Sequence, residues 1–369
     1  MKTKLTEMFG IEVPIFAFSH CRDVVVAVSK AGGMGVLGVS GHSAQQVERE
    51  LAWIDVHIGG KPYGVDVLMP QKHVSMTGGK KMSLEFPPEN MAFMRKLADD
   101  AGVPPLPTGE GERLVQEHAQ EINMTPDEAA VLLETCLRHP VRLVVNALGT
   151  PPRELVDELH GRGIKVGSLV GRLDHARHQI DAGVDMLVAQ GTEAGGHTGT
   201  ISSMVLWPQI VDAVAPVPVL AAGGVGRGRQ MAAALALGAE GVWCGSIWLG
   251  TTESELTADL RERFYAAKSE DAIQTRSITG KPCRTLRSRF TDAWEQPGAP
   301  KPLTMPLQTL SITETRLRFE RAHAKEWLSY PVGQIVGDMN GDTSVRQVVQ
   351  AMLGEFVESA ERLGRLLEY

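Results

Sequence analysis

Eight short apolar runs punctuate the first 250 residues: Val13–Phe18, Met34–Val39, Tyr63–Met69, Arg142–Ala147, Lys165–Val170, Asp185–Gln190, Pro218–Ala222 and Gly241–Ser246. Most are apolar throughout rather than at every second position, the pattern of strands covered on both faces. Amphipathic stretches separate most of the runs and stop at glycine: Ala31-Gly32-Gly33, Arg162-Gly163, Ala182-Gly183 and Leu237-Gly238. Glycine at such a stop supplies the left-handed cap that turns a helix back into the next strand. Eight units of this length predict an α/β protein, a closed (β/α)8 TIM barrel rather than an open doubly wound sheet.

Three late runs end in glycine, where a barrel binds its ligands. Val184–Val188 leads into Ala189-Gln190-Gly191-Thr192-Glu193-Ala194-Gly195-Gly196-His197-Thr198-Gly199, a loop whose titratable groups are Glu193 and His197. Pro218–Ala222 ends in Gly223-Gly224, and Gly241–Cys244 ends in Gly245-Ser246. A phosphate needs several backbone N–H groups converging on it without side chains in the way, and the last two strand ends of a barrel provide this. The Ser246 hydroxyl adds a donor. No Walker lysine follows, which argues against a nucleoside triphosphate. The G-x-G-x-x-G string Gly33–Gly38 follows a helix and enters a strand, the reverse of the dinucleotide fingerprint. His197, delivered to the barrel mouth between glycines, is a candidate catalytic or substrate-contacting group. Glu193 suits a helix cap as well as it suits orienting a partner.

Two segments break the rhythm. Residues 71–126 form an insertion after strand three, with Lys72, Lys80 and Lys81, a helix over Pro88–Asp100 and several prolines; it is a candidate lid or substrate element. Beyond residue 251 helices are predicted at Thr257–Lys268, Ile312–Trp327 and Ser344–Glu368. The organisation expected is a barrel over 1–255 and a mainly helical extension over 256–369 that packs on it.

Composition narrows the partners. Forty-four acidic residues against 37 lysines and arginines give a net charge of −7, which argues against nucleic acid or an anionic membrane. The four cysteines, Cys21, Cys136, Cys244 and Cys283, have neither zinc spacing nor a C-x-x-C pair, so reduced thiols and no metal are expected. No run approaches the ~18 apolar residues of a membrane span. A cytoplasmic protein acting on a small molecule is expected, with a homo-oligomer left open.

Together, Gln190–Gly199, Ala221-Ala222-Gly223-Gly224-Val225 and Leu237–Val242 resemble the nitronate monooxygenase family, formerly called 2-nitropropane dioxygenases and related to flavin-dependent enoyl-acyl-carrier-protein reductases. The resemblance runs from Val13 to Thr251 and weakly into Trp327 and Val332-Gly333-Gln334. It implies an FMN-dependent TIM barrel. The phosphate would lie on Gly223, Gly224, Gly245 and Ser246, and the ring system by Ala17, Phe18, Asn146, Gln190, Gly195 and Gly196. His197 matches the family's active-site histidine, as donor to an anionic nitronate or as general acid/base. Relatives have an Ala-Pro-Met-like stretch where this chain has Ala17-Phe18-Ser19-His20-Cys21-Arg22. His20 is thereby a second candidate acid/base, and Arg22 a candidate anion ligand. The implied activity is oxidation of alkyl nitronates by O2 to carbonyl compound and nitrite. The alternative is an NAD(P)H-dependent FMN reductase of a quinone or an enoyl or coenzyme A thioester, for which the insertion's lysines would suit a large anionic substrate.

Overall fold

Eight parallel strands close into a barrel in the computed structural model, which describes residues 1–68, 85–121 and 126–366. The strands are β1 (Ile15–Ser19), β2 (Met34–Gly38), β3 (Tyr63–Val67), β4 (Leu143–Asn146), β5 (Lys165–Val170), β6 (Met186–Gln190), β8 (Val219–Ala222) and β9 (Gly241–Cys244). Each pairs with its neighbour and β9 returns to β1, with Ile15 beside Val242 and Ala17 beside Cys244. Seven of the strands fall within the apolar runs of the sequence, and β1 ends one residue past its run, at Ser19. The reason is visible in their packing: one parity faces the surrounding helices and the other fills the lumen. Ile15, Ala17, Val65, Val67, Val144, Leu187 and Val242 join the helix-facing core. Phe16, Met34, Val36, Leu143, Val145, Met186, Val188, Leu220 and Trp243 form the lumen core.

A short helix, Lys4–Phe9, plugs the amino-terminal end of the barrel. Leu5 and Phe9 enter the lumen core, with Phe9 edge-on to Phe16 at 5.6 Å. The opposite, carboxyl-terminal end is thus the mouth.

The part of the 71–126 insertion that lies within the described residues joins the tail. The helix Pro88–Asp100 occurs as predicted, and its Met94 and Leu97 pack with Phe290, Trp294, Ile312 and Phe319 in a separate core. Arg318 donates to the carbonyls of Pro104 (2.9 Å) and Val103 (2.8 Å), fastening the following loop to the helix Leu307–Arg321. Lys72, Lys80 and Lys81 lie outside the described residues.

The extension contains more than helices. Three of its helices, Ala258–Ala266, Leu307–Arg321 and Val345–Arg365, overlap the predicted stretches. Between the first two, in place of helix or connector, β10 (Ala272–Thr275) and β11 (Cys283–Leu286) form an antiparallel hairpin. The β11 strand also pairs with β7 (Gly196–His197), a two-residue strand in the loop after β6. Among the described residues, no helix is long and apolar enough to cross a membrane.

Candidate active site at the barrel mouth

Of the two glycine strand ends, that of β8 has a left-handed backbone, whereas Gly245 after β9 has an ordinary φ of −116°. Gly223 and Gly224 have φ of 109° and 69°, where a side chain is strained. A Cβ on Gly223 would lie 2.7 Å from the Ser203 hydroxyl, so that position is closed to any other residue. Two neighbouring groups refine the anion site. Gln230 Oε1 accepts from the N–H groups of Gly226 (2.9 Å) and Arg227 (3.0 Å), and Glu355 accepts from Gly228 N–H (2.9 Å). The N–H groups of Gly226, Arg227 and Gly228, leading into the helix Gly228–Ala236, are therefore engaged. The anion donors expected from the sequence, the strand-end amides of Gly223, Gly224, Gly245 and Ser246, lie on the neighbouring strand ends of β8 and β9. Ser246 Oγ accepts from Gly333 N–H at 2.8 Å and keeps its own proton to donate.

The loop after β6 is held by its own chemistry. The Glu193 carboxylate takes Ser203 N–H (3.0 Å) and the Ser203 hydroxyl (2.7 Å), capping the helix Ser203–Val214. Its carbonyl accepts from Gln334 N–H at 2.9 Å. Gly195 faces that same segment, since a Cβ there would lie 2.8 Å from Gly333 N. The glycine is thus a point of backbone contact between barrel and extension. Gly196 then enters β7 at φ 75°.

His197 follows, and its Nε2 lies 2.8 Å from Thr279 Oγ1 on the turn between β10 and β11. The Thr279 hydroxyl donates to Lys281 O at 3.2 Å. A Thr279 hydroxyl committed to Lys281 O would leave Nε2 of a neutral His197 as the donor and Nδ1 with the lone pair. The ring is solvent-exposed yet crowded by the mouth around it. That crowding lowers its pKa below the ordinary histidine value, and the Lys281 charge lowers it further.

The β1 end supplies the other wall. The order Phe16, Phe18, His20 has lumen parity. Phe18 stacks near Trp243, with centroids 6.2 Å apart, and meets His20 edge-on at 5.2 Å. His20 Nδ1 lies 2.8 Å from Gly38 O, and its ring is 6.1 Å from that of His42. It too is exposed at the mouth but crowded. Desolvation lowers its pKa most, the Gly38 bond opposes this, and His42 adds to the lowering. Ala17 has the opposite parity, so its side chain faces the helices and only its backbone borders the mouth.

Two expected groups point elsewhere. Asn146 follows Val145 of the lumen core and has the opposite parity; its amide donates to Gly149 O (3.1 Å) and accepts from Leu148 N–H (3.2 Å). It shapes its own loop. Arg22 lies over Trp53 at 4.5 Å and pairs with Glu50 at 3.4 Å, on the helix Ala44–His57. Gln190, in parity with Met186 and Val188, does reach the mouth. The structure adds Thr279 and a buried lumen carboxyl, Asp66, 4% exposed, to the candidate set. Asp66 had a signal in sequence, an acid inside an otherwise apolar strand; Thr279 had none.

The nitronate monooxygenase family model matches residues 2–355. A Mycobacterium tuberculosis protein whose name describes a monooxygenase is 47% identical over the whole of both chains. A Staphylococcus aureus protein named for nitronate monooxygenase activity is 29% identical over 80% of this chain and 81% of its own. Among solved structures, nitroalkane oxidase from Streptomyces ansochromogenes superposes with a TM-score of 0.77 at 26% identity, covering 97% of this chain and 99% of its own. FabK from Thermotoga maritima gives 0.74 at 26% identity, over 100% of each.

Proposed function

This chain belongs to the nitronate monooxygenase family, and from that premise we propose that it is an FMN-dependent oxidoreductase converting alkyl nitronates and O2 to a carbonyl compound and nitrite. The residues present fit an FMN. The strand-end amides of Gly223, Gly224, Gly245 and Ser246 make a cradle suited to its phosphate, and Phe18, Trp243 and Gln190 border the space for its ring. When bound, the flavin supplies the electron transfer between substrate and O2, which no side chain here can perform.

The observation that carries the reading is the bonding of His197. With Nε2–H on Thr279 and a depressed pKa, the imidazole is neutral near pH 7 and offers its Nδ1 lone pair. This favours a general base over a cationic anchor. A base takes the proton from the carbon beside a nitro group, so the site can generate from a neutral nitroalkane the nitronate that is then oxidised, as well as accept one preformed. His197→Asn, with FMN retained, is therefore expected to lower turnover of neutral nitroalkanes by about 10²–10⁴-fold and that of nitronates less. For the wild type, kcat/KM with the nitroalkane is expected to fall in acid, through a pKa below the ordinary 6.5 of histidine, as His197 is protonated. Unchanged nitroalkane rates in the variant would remove His197 from the mechanism.

A second reading, an NAD(P)H-dependent reductase of a quinone or thioester, draws on the likeness to FabK. Anaerobic visible spectra separate the two. Bleaching of the flavin band by propionate 3-nitronate alone supports the monooxygenase, and bleaching by NADH or NADPH alone supports the reductase.

A further inference from the structure

The turn that meets His197 carries two positive charges that no carboxylate among the described residues neutralises. Residues 272–291 hold five cations, Arg276, Lys281, Arg284, Arg287 and Arg289, and no acid, in a chain of net charge −7. Three of the five have partners. Arg284 is bound to backbone carbonyls, Arg287 pairs with Asp292 at 3.2 Å, and Arg289 pairs with Glu326 at 2.8 Å. Arg276 and Lys281 stand exposed on the turn between β10 and β11, and among the described residues neither forms an ion pair. The turn brings them together: a terminal nitrogen of Arg276 donates to Gly280 O at 3.2 Å, one peptide from Lys281. Like charges held side by side repel unless an anion lies between them. The turn itself is rigid. Gln308 donates to Ser277 O (2.7 Å), Thr309 to Ile278 O (3.3 Å) and Gly280 N–H to Arg276 O (2.9 Å). A Cβ on Gly280 would lie 1.9 Å from Leu303 O, so the turn rests on backbone. Its Thr279 lies 2.8 Å from His197, and Cys283, two residues past Lys281, is the register partner of His197. The Lys281 charge is close enough to help depress the His197 pKa. Glu193, the acid of the β6 loop, is engaged by Ser203.

An arginine offers a planar fork of donors and a lysine a mobile point charge. Side by side they match the double charge and several oxygens of a phosphate group better than a single carboxylate. We propose that Arg276 and Lys281 form an anion subsite at the rim of the mouth, taking a phosphate-type dianion at the end of the substrate remote from the carbon that His197 serves. The subsite is separate from the glycine cradle of β8 and β9, which offers backbone amides rather than charged side chains. The inference rests on the nitronate reading above and adds a substrate class to it, nitro compounds with a phosphorylated tail.

The test is calorimetric binding of three redox-inert ligands of similar length to the FMN-loaded protein. Each has a carboxylate in place of the nitronate. At the other end 3-phosphonopropionate has a phosphonate, succinate a second carboxylate and butyrate a methyl group. With the phosphonate doubly ionised, 3-phosphonopropionate is expected to bind about tenfold tighter than butyrate, with succinate between them. Added salt should narrow the gap, since the subsite is exposed. Arg276→Gln combined with Lys281→Gln should bring the three affinities together at the butyrate value. Should the double variant not fold, the wild type decides by its salt dependence: a gap that salt leaves unchanged overturns the inference. Equal wild-type affinities, succinate as tight as 3-phosphonopropionate, or a folded variant that keeps the preference also overturns it, and leaves the nitronate reading standing. Failure of all three ligands to bind overturns that reading, and the inference with it.

Discussion

At the scale of single residues, parity decides what a strand can offer the mouth. In β1, Phe18 and His20 share the lumen parity of Phe16, and in β3 Asp66 shares that of Gly64. The run Arg142–Ala147 is legible as a strand, and its alternation turns Asn146 toward Gly149. Asp66 was legible by the same rule, as a polar break at a lumen position. Gly38 shows how such a position is protected. Alanine there would press on Phe18 and His20, whose ring ends can yield, rather than on rigid backbone. Gly38→Ala is expected to cost only about 1–3 kcal/mol in a urea melt. It should also displace His20 from Gly38 O and weaken FMN binding more than the melt alone would suggest. A melt cost with wild-type FMN affinity would show that the rings relax without disturbing the mouth.

Among the elements, the hairpin β10–β11 is the part of the site that the sequence concealed. Each strand is only four residues long, too short for a period to be read, and its register partner is the two-residue β7. A pairing 86 positions apart, Cys283 opposite His197, leaves no local trace. Yet this pairing sets the angle of the catalytic candidate. Arg284 locks it: Nε donates to Thr192 O (2.9 Å) and a terminal nitrogen to Ala272 O (2.6 Å), joining the β6 loop, β10 and β11. Partial burial lowers the pKa of this guanidinium while the Glu193 charge opposes the shift, so its bonds form in a partly desolvated setting. Arg284→Ala should leave both carbonyls short of a donor and cost about 1.5–3 kcal/mol of stability. Nitroalkane turnover should fall in parallel with His197→Asn, without loss of flavin affinity. Full activity in a folded Arg284→Ala protein would show that Thr279 alone orients His197.

For the whole molecule, the question is what holds the extension against the barrel behind the anion cradle. The eight-stranded barrel was readable because strands buried on both faces declare themselves; the docking of the last helix was not, since it depends on shape. Gly228 opens the helix after Gly223-Gly224, and a Cβ there would lie 1.9 Å from Met352 O and 2.6 Å from Phe356 N in the helix Val345–Arg365. Both obstacles are backbone, so Gly228→Ala must drive the two helices apart. Beside this contact Glu355 accepts from Arg227 and from Gly228 N–H, with Asp338 3.7 Å from the same guanidinium. The Arg227 bond is the main reason that the Glu355 carboxyl titrates below its usual 4.5. A carboxyl depressed by folding stabilises the native state above its unfolded pKa, and that contribution fades as pH falls through the folded value. Glu355→Gln is therefore expected to lose about 1–2 kcal/mol near neutrality and to converge on the wild type in strong acid. Gly228→Ala should keep its deficit at every pH, because its cause is steric. Melting curves of the two variants from pH 7 down to about 3 make the comparison. An acid-insensitive deficit in Glu355→Gln would mean that the carboxyl acts by packing rather than by charge. An intact Gly228→Ala protein with unchanged FMN affinity would separate the docking of the last helix from the cradle it backs.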